Sequence, residues 1–495
     1  MASVTGTAPS GDVASFYRAI WAEARARRRE VATAVEITLV VAWFAIRTLS
    51  DVDGRAYLLW IVGAGIVALV APRSGLVVLV ATSVFFEPDS LARTIAPREL
   101  IVLPLGLGVL IQIVSDRFRW RPGLAIWLAL LLVLGTGLGV VHTFREFEQE
   151  FQWHAAQSWI GNMLAPVIIL VAAASTARDG SLRVLVVATG VGVVAAIVGL
   201  IEYAAPGSIS TGPLAWVGFW KDFGARLSGT IPSPNALSTQ LIVPTMILLA
   251  ATLLGGPPRL RLVALAGLVP LLLAQYLTFS RAPFIALYVF VVIAAWRLRR
   301  WAGVAVLVVG LVIGTLALPR YLELRGSTVS EGAVTAGSIL VASDEHRFRA
   351  WAAALRMVRD EPIVGQGYLA YKELADVYGD PVLGSPHNEW LRIFAEEGVI
   401  VGLVALAFLL VTAVTLARVP GWLGTGVLAG LAGYVIAATF NNPFLFVRVS
   451  AVAFATFGVG LALAALARTP ARSDPTPALS DTPERIESGP DPALD

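Results

Sequence analysis

The stretch Leu262–Trp296, LVALAGLVPLLLAQYLTFSRAPFIALYVFVVIAAW, decides the fold. As one helix it would run ~50 Å at 1.5 Å per residue, far more than the ~30 Å hydrocarbon core of a bilayer. It therefore has to break, and Thr278-Phe279-Ser280-Arg281-Ala282-Pro283 is its one polar interruption. Pro283 is tolerated in the first turn of a new helix, and Ser280 has the chemistry to cap it. Two antiparallel membrane spans joined by a tight turn follow, with Arg281 at the interface, since a charge at the bilayer centre costs at least ~2.5–3.5 kcal/mol.

The same pattern extends outward. Of 495 residues, 57% are hydrophobic and only 14% charged, against about 25% charged in soluble domains. Apolar runs of near-spanning length recur at 31–49, 56–72, 75–87, 99–115, 124–142, 158–176, 183–204, 236–254, 262–279, 282–296, 301–318, 399–417, 422–440 and 445–467. The fold class is therefore all-α, a polytopic transmembrane helical bundle of about 12–14 spans, the third run being short enough to be re-entrant. The N-terminal Arg25, Arg27, Arg28 and Arg29 precede an apolar run with no small-residue cleavage site, which reads as an uncleaved anchor.

Arginine placement sets orientation. With the N-terminus inside, the inner connections carry Arg73, then Arg117, Arg119 and Arg121, then Arg178 and Arg183. Arg259 and Arg261, then Arg297, Arg299 and Arg300, then Arg418, and finally Arg468 and Arg472 continue the series. An even number of spans puts both termini inside. The division is a cytoplasmic segment 1–30, a helical domain 31–468 with long outer loops at 205–235 and 319–398, and a Pro-, Asp-, Ser- and Thr-rich disordered tail 469–495. Within the second outer loop, Phe348, Trp351, Ala352, Leu355 and Val358 fall at helical spacing. They predict an amphipathic helix from a cap at Ser343 to Asp360, lying on the membrane or over the bundle.

The composition excludes several classes. A net charge of +3 gives no global basic field for nucleic acid, and the absence of cysteine removes disulfides, thiolate catalysis and Cys-ligated metals. No phosphate-binding G-x-x-x-x-G-K-[ST] loop is present, which argues against ATP-driven transport.

Three polar positions collect on the outer face. Arg281 reads as an anion clamp, because a guanidinium stays charged and grips phosphate bidentately, or as a snorkelling residue that marks a helix end. Arg226, in the Gly-, Ser- and Pro-rich run 224–235, reads as a second phosphate ligand or as an ordinary turn residue. His387, in Ser385-Pro386-His387-Asn388-Glu389, has the side chain suited to general-base work near neutral pH, or is a loop histidine bonded to backbone. A rival pair, Asp51 and Asp53 in the first outer loop, has the Asp-x-Asp form that holds Mg²⁺ against a diphosphate, though two Asp in a turn are also ordinary turn chemistry.

Taken in order, these pieces resemble the O-antigen ligase / O-antigen polymerase superfamily of bacterial membrane glycosyltransferases. The resemblance rests on Arg226 with Pro234-Asn235, and on Thr278-Phe279-Ser280-Arg281 at a span boundary. It continues through Arg347 to Gly367, ending Pro362-Ile363-Val364-Gly365-Gln366-Gly367, to Pro386-His387-Asn388 with Leu391 and Glu397-Gly398-Val399-Ile400-Val401-Gly402. It covers about 220–440; the earlier half matches only as a row of hydrophobic helices. The resemblance implies a GT-C-like enzyme of the bacterial cytoplasmic membrane, working on its outer face. The donor would be a glycan on a polyprenyl diphosphate and the acceptor a hydroxyl on a glycan, lipid or protein. By resemblance His387 is the base; Arg226, Arg281 and Arg347 hold the diphosphate; Asn388, Asn235 and Ser280 support them. No metal, nucleotide or other cofactor is needed, since a diphosphate is already a good leaving group, and inversion at the sugar is expected. A repeat-unit polymerase of the same superfamily and a flippase for lipid-linked oligosaccharide are the alternatives.

Overall fold

The computed structural model describes residues 29–46, 54–83, 99–115, 122–176, 182–208, 226–231, 233–255, 257–298, 310, 336–381, 384–445 and 447–467. Among them every regular element is helical. The helices are α1 (29–46), α2 (Gly54–Val70), α3 (Pro72–Ser83), α4 (Glu99–Val114), α5 (Leu124–Glu146), α6 (Gln149–Trp159), α7 (Ala165–Thr176) and α8 (Arg183–Ala204). They continue as α9 (Pro234–Leu253), α10 (Pro258–Leu277), α11 (Ala282–Leu298), α12 (Ala336–Asp360), α13 (Tyr371–Leu374), α14 (Glu389–Leu416), α15 (Gly421–Thr439) and α16 (Val447–Ala467).

Every apolar run read from the sequence coincides with a helix except 301–318, which lies outside the described residues save for 310. The chain is an all-α polytopic bundle. Eight helices among the described residues are long and apolar enough to cross a membrane, with shorter apolar helices at Leu58–Val70, Leu100–Val114 and Ala282–Arg297. The third run, short enough to be re-entrant, is α3, with 12 described residues, about 18 Å of helix, buried along nearly their whole length. It is an internal helix wedged against α2, where a Cβ on Gly75 would lie 2.3 Å from Ala68 Cα.

The innermost helix is α16, which packs against α7, α8 and α9 and is 83% buried over its central window. Lipid removes the hydrophobic drive between helices, so close approach through small residues takes over. Gly426 and Gly430 of α15 do this against Ile247 and Val243 of α9. By contrast α10 turns Leu262, Val263 and Val269 outward, as a lipid-facing helix must.

The break in the deciding stretch lies where the sequence puts it. α10 ends at Leu277 and α11 begins at Ala282. Its cap differs in detail: the Arg281 carbonyl accepts from Ile285 N, and the Ser280 hydroxyl turns to Asn235 Oδ1 (3.1 Å). At the far end of α11, the Arg297 guanidinium donates to the carbonyls of Leu416, Ala417 and Val419, which ties it to the α14–α15 connection.

The expected amphipathic helix exists and lies over the bundle, on its small-residue face. It begins at Ala336, so Ser343 lies inside it. Ala350, Ala353, Ala354 and Met357 are the residues turned inward, against Tyr371, Ala375 and Ala395, while Phe348 and Leu355 are 63% and 56% exposed. Small side chains face the bundle because they allow α12 to lie close on α14; the bulky apolar ones are left for the outer surface.

Candidate functional site

The last residues of the long loop 319–398 are helical up to the break at Gly398. α14 starts at Glu389, and Asn388 caps it, its Oδ1 accepting from Trp390 N (3.1 Å) and Leu391 N (3.2 Å). The helix is interrupted at Gly398, whose φ of 79° lies in the left-handed region. A Cβ there would sit 2.1 Å from Ile363 O. Gly398 thus lets the Pro362–Gly367 turn press against α14, where Val399 N, Gln366 N and Gly367 N bond across to Pro362, Ala395 and Glu396.

The initial segment of α14 holds a buried ionic group that sequence reading missed. Arg392, 1% exposed, donates to Glu389 on one side and Glu396 on the other. Glu389 Oε2 also accepts from Phe444 N (3.1 Å), and Glu396 Oε1 from Tyr371 N (3.3 Å). The triad therefore fastens the α15–α16 connection and the α13 turn to the base of the His387 loop. The i, i+3 and i, i+4 spacing was visible in the sequence; burial was not.

On one side of that loop, Asn235, Thr239, Ser280, Arg281, Arg347 and Asn441 line a pocket, with Phe440 beside them. Arg226 stands behind it. Its Nε donates to Thr278 O (2.9 Å) and a terminal nitrogen to Asn235 Oδ1 (3.0 Å), while Leu227 N bonds Leu277 O (2.9 Å). The N-termini of α9 and α11 both reach the pocket, and helix N-termini favour anions. The C-terminal end of α15 reaches it too, but its half-charge is outweighed by two guanidinium groups. Among the described residues no lining side chain is acidic. Asn441 is a further residue that sequence reading missed; its Nδ2 is buried, with no hydrogen-bond partner among the described residues. Its signal was a pair of Asn closing an apolar span.

His387 is not among the residues lining this pocket, but Arg347, which is, lies close enough for its charge to act on the imidazole. Burial first and Arg347 second lower the His387 pKa to about 4, with Asp380 opposing. Asp380 is itself buried and meets the Tyr371 hydroxyl at 2.8 Å; burial and this bond push the Tyr371 pKa up. The backbone at His387 has φ 47°, a left-handed conformation that costs a side-chain-bearing residue ~1–2 kcal/mol. Trp351 of α12 helps hold it there by donating to Pro386 O (3.0 Å). Asp51 and Asp53 lie outside the described residues; among the described residues no cluster of His, Asp and Glu could hold a metal.

A family model described as O-antigen ligase matches residues 266–407. Over that stretch the chain is similar to the O-antigen ligase family. The matched stretch contains the α10–α11 turn with Arg281, helix α12 with Arg347, and the His387–Asn388 loop; Arg226, Asn235 and Asn441 fall outside it. The match supports the superfamily resemblance read from the ordered motifs. No curated protein matches the chain.

Proposed function

We propose that this O-antigen ligase-type protein transfers a glycan from a polyprenyl diphosphate to an acceptor hydroxyl on the outer face of the cytoplasmic membrane. The observation that carries the reading is the convergence of Arg281 and Arg347, from distant parts of the chain, on one pocket beside His387, with no acidic side chain among its described lining residues. The outer placement is supported by charge. α9, α11 and α14 run away from the pocket, and the connections at their far ends carry Arg259, Arg261, Arg297 and Arg418, the basic excess of a cytoplasmic face.

In the reaction the acceptor hydroxyl attacks the anomeric carbon, its proton passes to the His387 imidazole, and the bond to the diphosphate oxygen breaks with inversion. Negative charge grows on the diphosphate as it leaves, and Arg281 and Arg347 stabilise it as fixed charges needing no reorganisation. Arg226, through Asn235, and Ser280, bonded to the same carboxamide, hold the floor of this pocket. Asn441 Nδ2 supplies a further donor. Asn388 fixes the His387 loop as the cap of α14. His387 is neutral at pH 7 in the empty site. A diphosphate bound against Arg347 offsets the charge that suppresses its basicity, so the base strengthens when the donor is present.

The test is transfer by purified full-length protein in liposomes, from lipid-linked glycan to an acceptor, with Arg281→Gln and Arg347→Gln variants. Binding of donor without transfer would leave a flippase. In a deletion strain, unlinked long chains mark a ligase, and single capped repeats mark a polymerase.

A further inference from the structure

A second cleft opens on the other side of the His387 loop. Its walls come from separate elements: His154 and Ser158 of α6 with Asn162 after them, Lys372 of α13, Ser385 of the loop itself, and Arg392 and Glu396 of α14. Leu369 and Leu445 give it apolar surface. Its cavity volume is about 250 Å³, close to the lower end of the ~300–1,000 Å³ range of small-ligand clefts.

Two observations single it out. Asn162 lies in a π-helical turn, Ile160–Leu164, between α6 and α7. Such turns break the helical register and cluster at functional sites. Arg392 and Glu396, each 1% exposed, reach the wall of the cleft already paired with each other. Charge then separates the two cavities. The pocket with Arg281 and Arg347 is cationic. This cleft mixes Lys372 and Arg392 with Glu396, and adds neutral groups that both donate and accept.

We propose that this cleft is the acceptor subsite and that its ligand is an uncharged sugar ring, presented by a glycan rather than by a serine or threonine of a protein. The inference rests on the transferase reading above. A sugar hydroxyl donates one hydrogen bond and accepts others, which matches Ser158, Asn162 and Ser385. Its C–H face matches Leu369 and Leu445. Ser385 lines the cleft and His387, two residues on, lies beside Arg347. The loop therefore stands between acceptor and donor, with the base on it.

The chain has no cysteine, so single-cysteine variants report one position each. Full-length Ser158→Cys and Phe440→Cys proteins in liposomes are labelled from outside by a membrane-impermeant thiol reagent. Labelling is repeated with phosphate-free oligosaccharide released by mild acid from the host's lipid-linked glycan, with inorganic diphosphate, and with a Ser/Thr peptide. The oligosaccharide should slow labelling of Ser158→Cys about fivefold at four times its dissociation constant and leave Phe440→Cys unchanged. Diphosphate should do the reverse. An unreactive Ser158→Cys, no protection by oligosaccharide, or protection by the peptide instead overturns the subsite. Failure of diphosphate to protect Phe440→Cys is a separate result and strikes the donor reading. Transfer assays supply the functional arm: Asn162→Ala should raise the acceptor KM and leave the donor KM unchanged, and equal changes in both would contradict the assignment.

Discussion

Replacing Arg347 by Gln should change the pH dependence of transfer in a direction fixed by the site. In the free protein His387 has a pKa of about 4, against an ordinary 6.5. The difference of 6.5 − 4 = 2.5 is equivalent to about 3 kcal/mol against the imidazolium. Burial is the larger cause and Arg347 the next. The acid limb of kcat/KM, which reports the free enzyme, should therefore fall near pH 4 in the native protein. In Arg347→Gln it should move upward without reaching 6.5, because burial remains. The limb of kcat should lie higher than that of kcat/KM, since bound diphosphate brings negative charge to Arg347. The same shift acts on stability. A lowered folded-state pKa means the unfolded chain binds the proton first, so stability is full above pH 6.5 and declines as pH falls from 6.5 towards 4. His387→Asn should remove that decline, and Asn tolerates the left-handed backbone there. The assay is initial-rate transfer in liposomes between pH 4 and 8 at varied donor. A native limb at 6.5 that Arg347→Gln leaves in place would refute the reasoning.

Removing the Arg281 guanidinium should raise the donor KM about tenfold to a hundredfold, the value of one charge-assisted bond at ~1.5–3 kcal/mol. Arg281→Lys should fall between, because it keeps the charge and loses the fork. Arg392→Met leaves Glu389 and Glu396 buried without their counter-charge and should destabilise the protein by ~3–5 kcal/mol. Thermal unfolding in detergent measures this, and the triple change Glu389→Gln, Arg392→Met, Glu396→Gln should recover most of it. Gly398→Ala meets Ile363 O at a left-handed backbone and should detach the Pro362–Gly367 turn, read as faster limited proteolysis there. Excess EDTA should leave the transfer rate unchanged; loss restored by Mg²⁺ would bring Asp51 and Asp53 into the mechanism.

The bundle was legible in the sequence because a bilayer fixes helix length and tolerates few charges. The α10–α11 break shows this: the one charged residue of a 35-residue, otherwise nearly apolar stretch can lie nowhere but at an interface. Crossing could not be told from burial at α3, since both environments select the same residues. The face by which α12 meets the bundle was not marked, for a related reason. Periodicity marks Phe348 and Leu355 as apolar, but the tight contact with α14 is made by Ala350, Ala353 and Ala354. Among site residues, Arg281, Arg347, Asn235 and Ser280 were named in advance and share a pocket. Asn441 and the Glu389–Arg392–Glu396 group were passed over, since their significance is a lack of solvent, and solvent is a property of the fold.

The central claim is that His387 takes the acceptor proton while Arg281 and Arg347 hold the departing diphosphate. The most direct measurement is single-turnover transfer by His387→Asn in liposomes saturated with lipid-linked glycan, with donor binding recorded on the same sample. Native donor binding with transfer slowed by about 10²–10⁴, the usual worth of a general base, is the predicted result. Transfer at the native rate would contradict it.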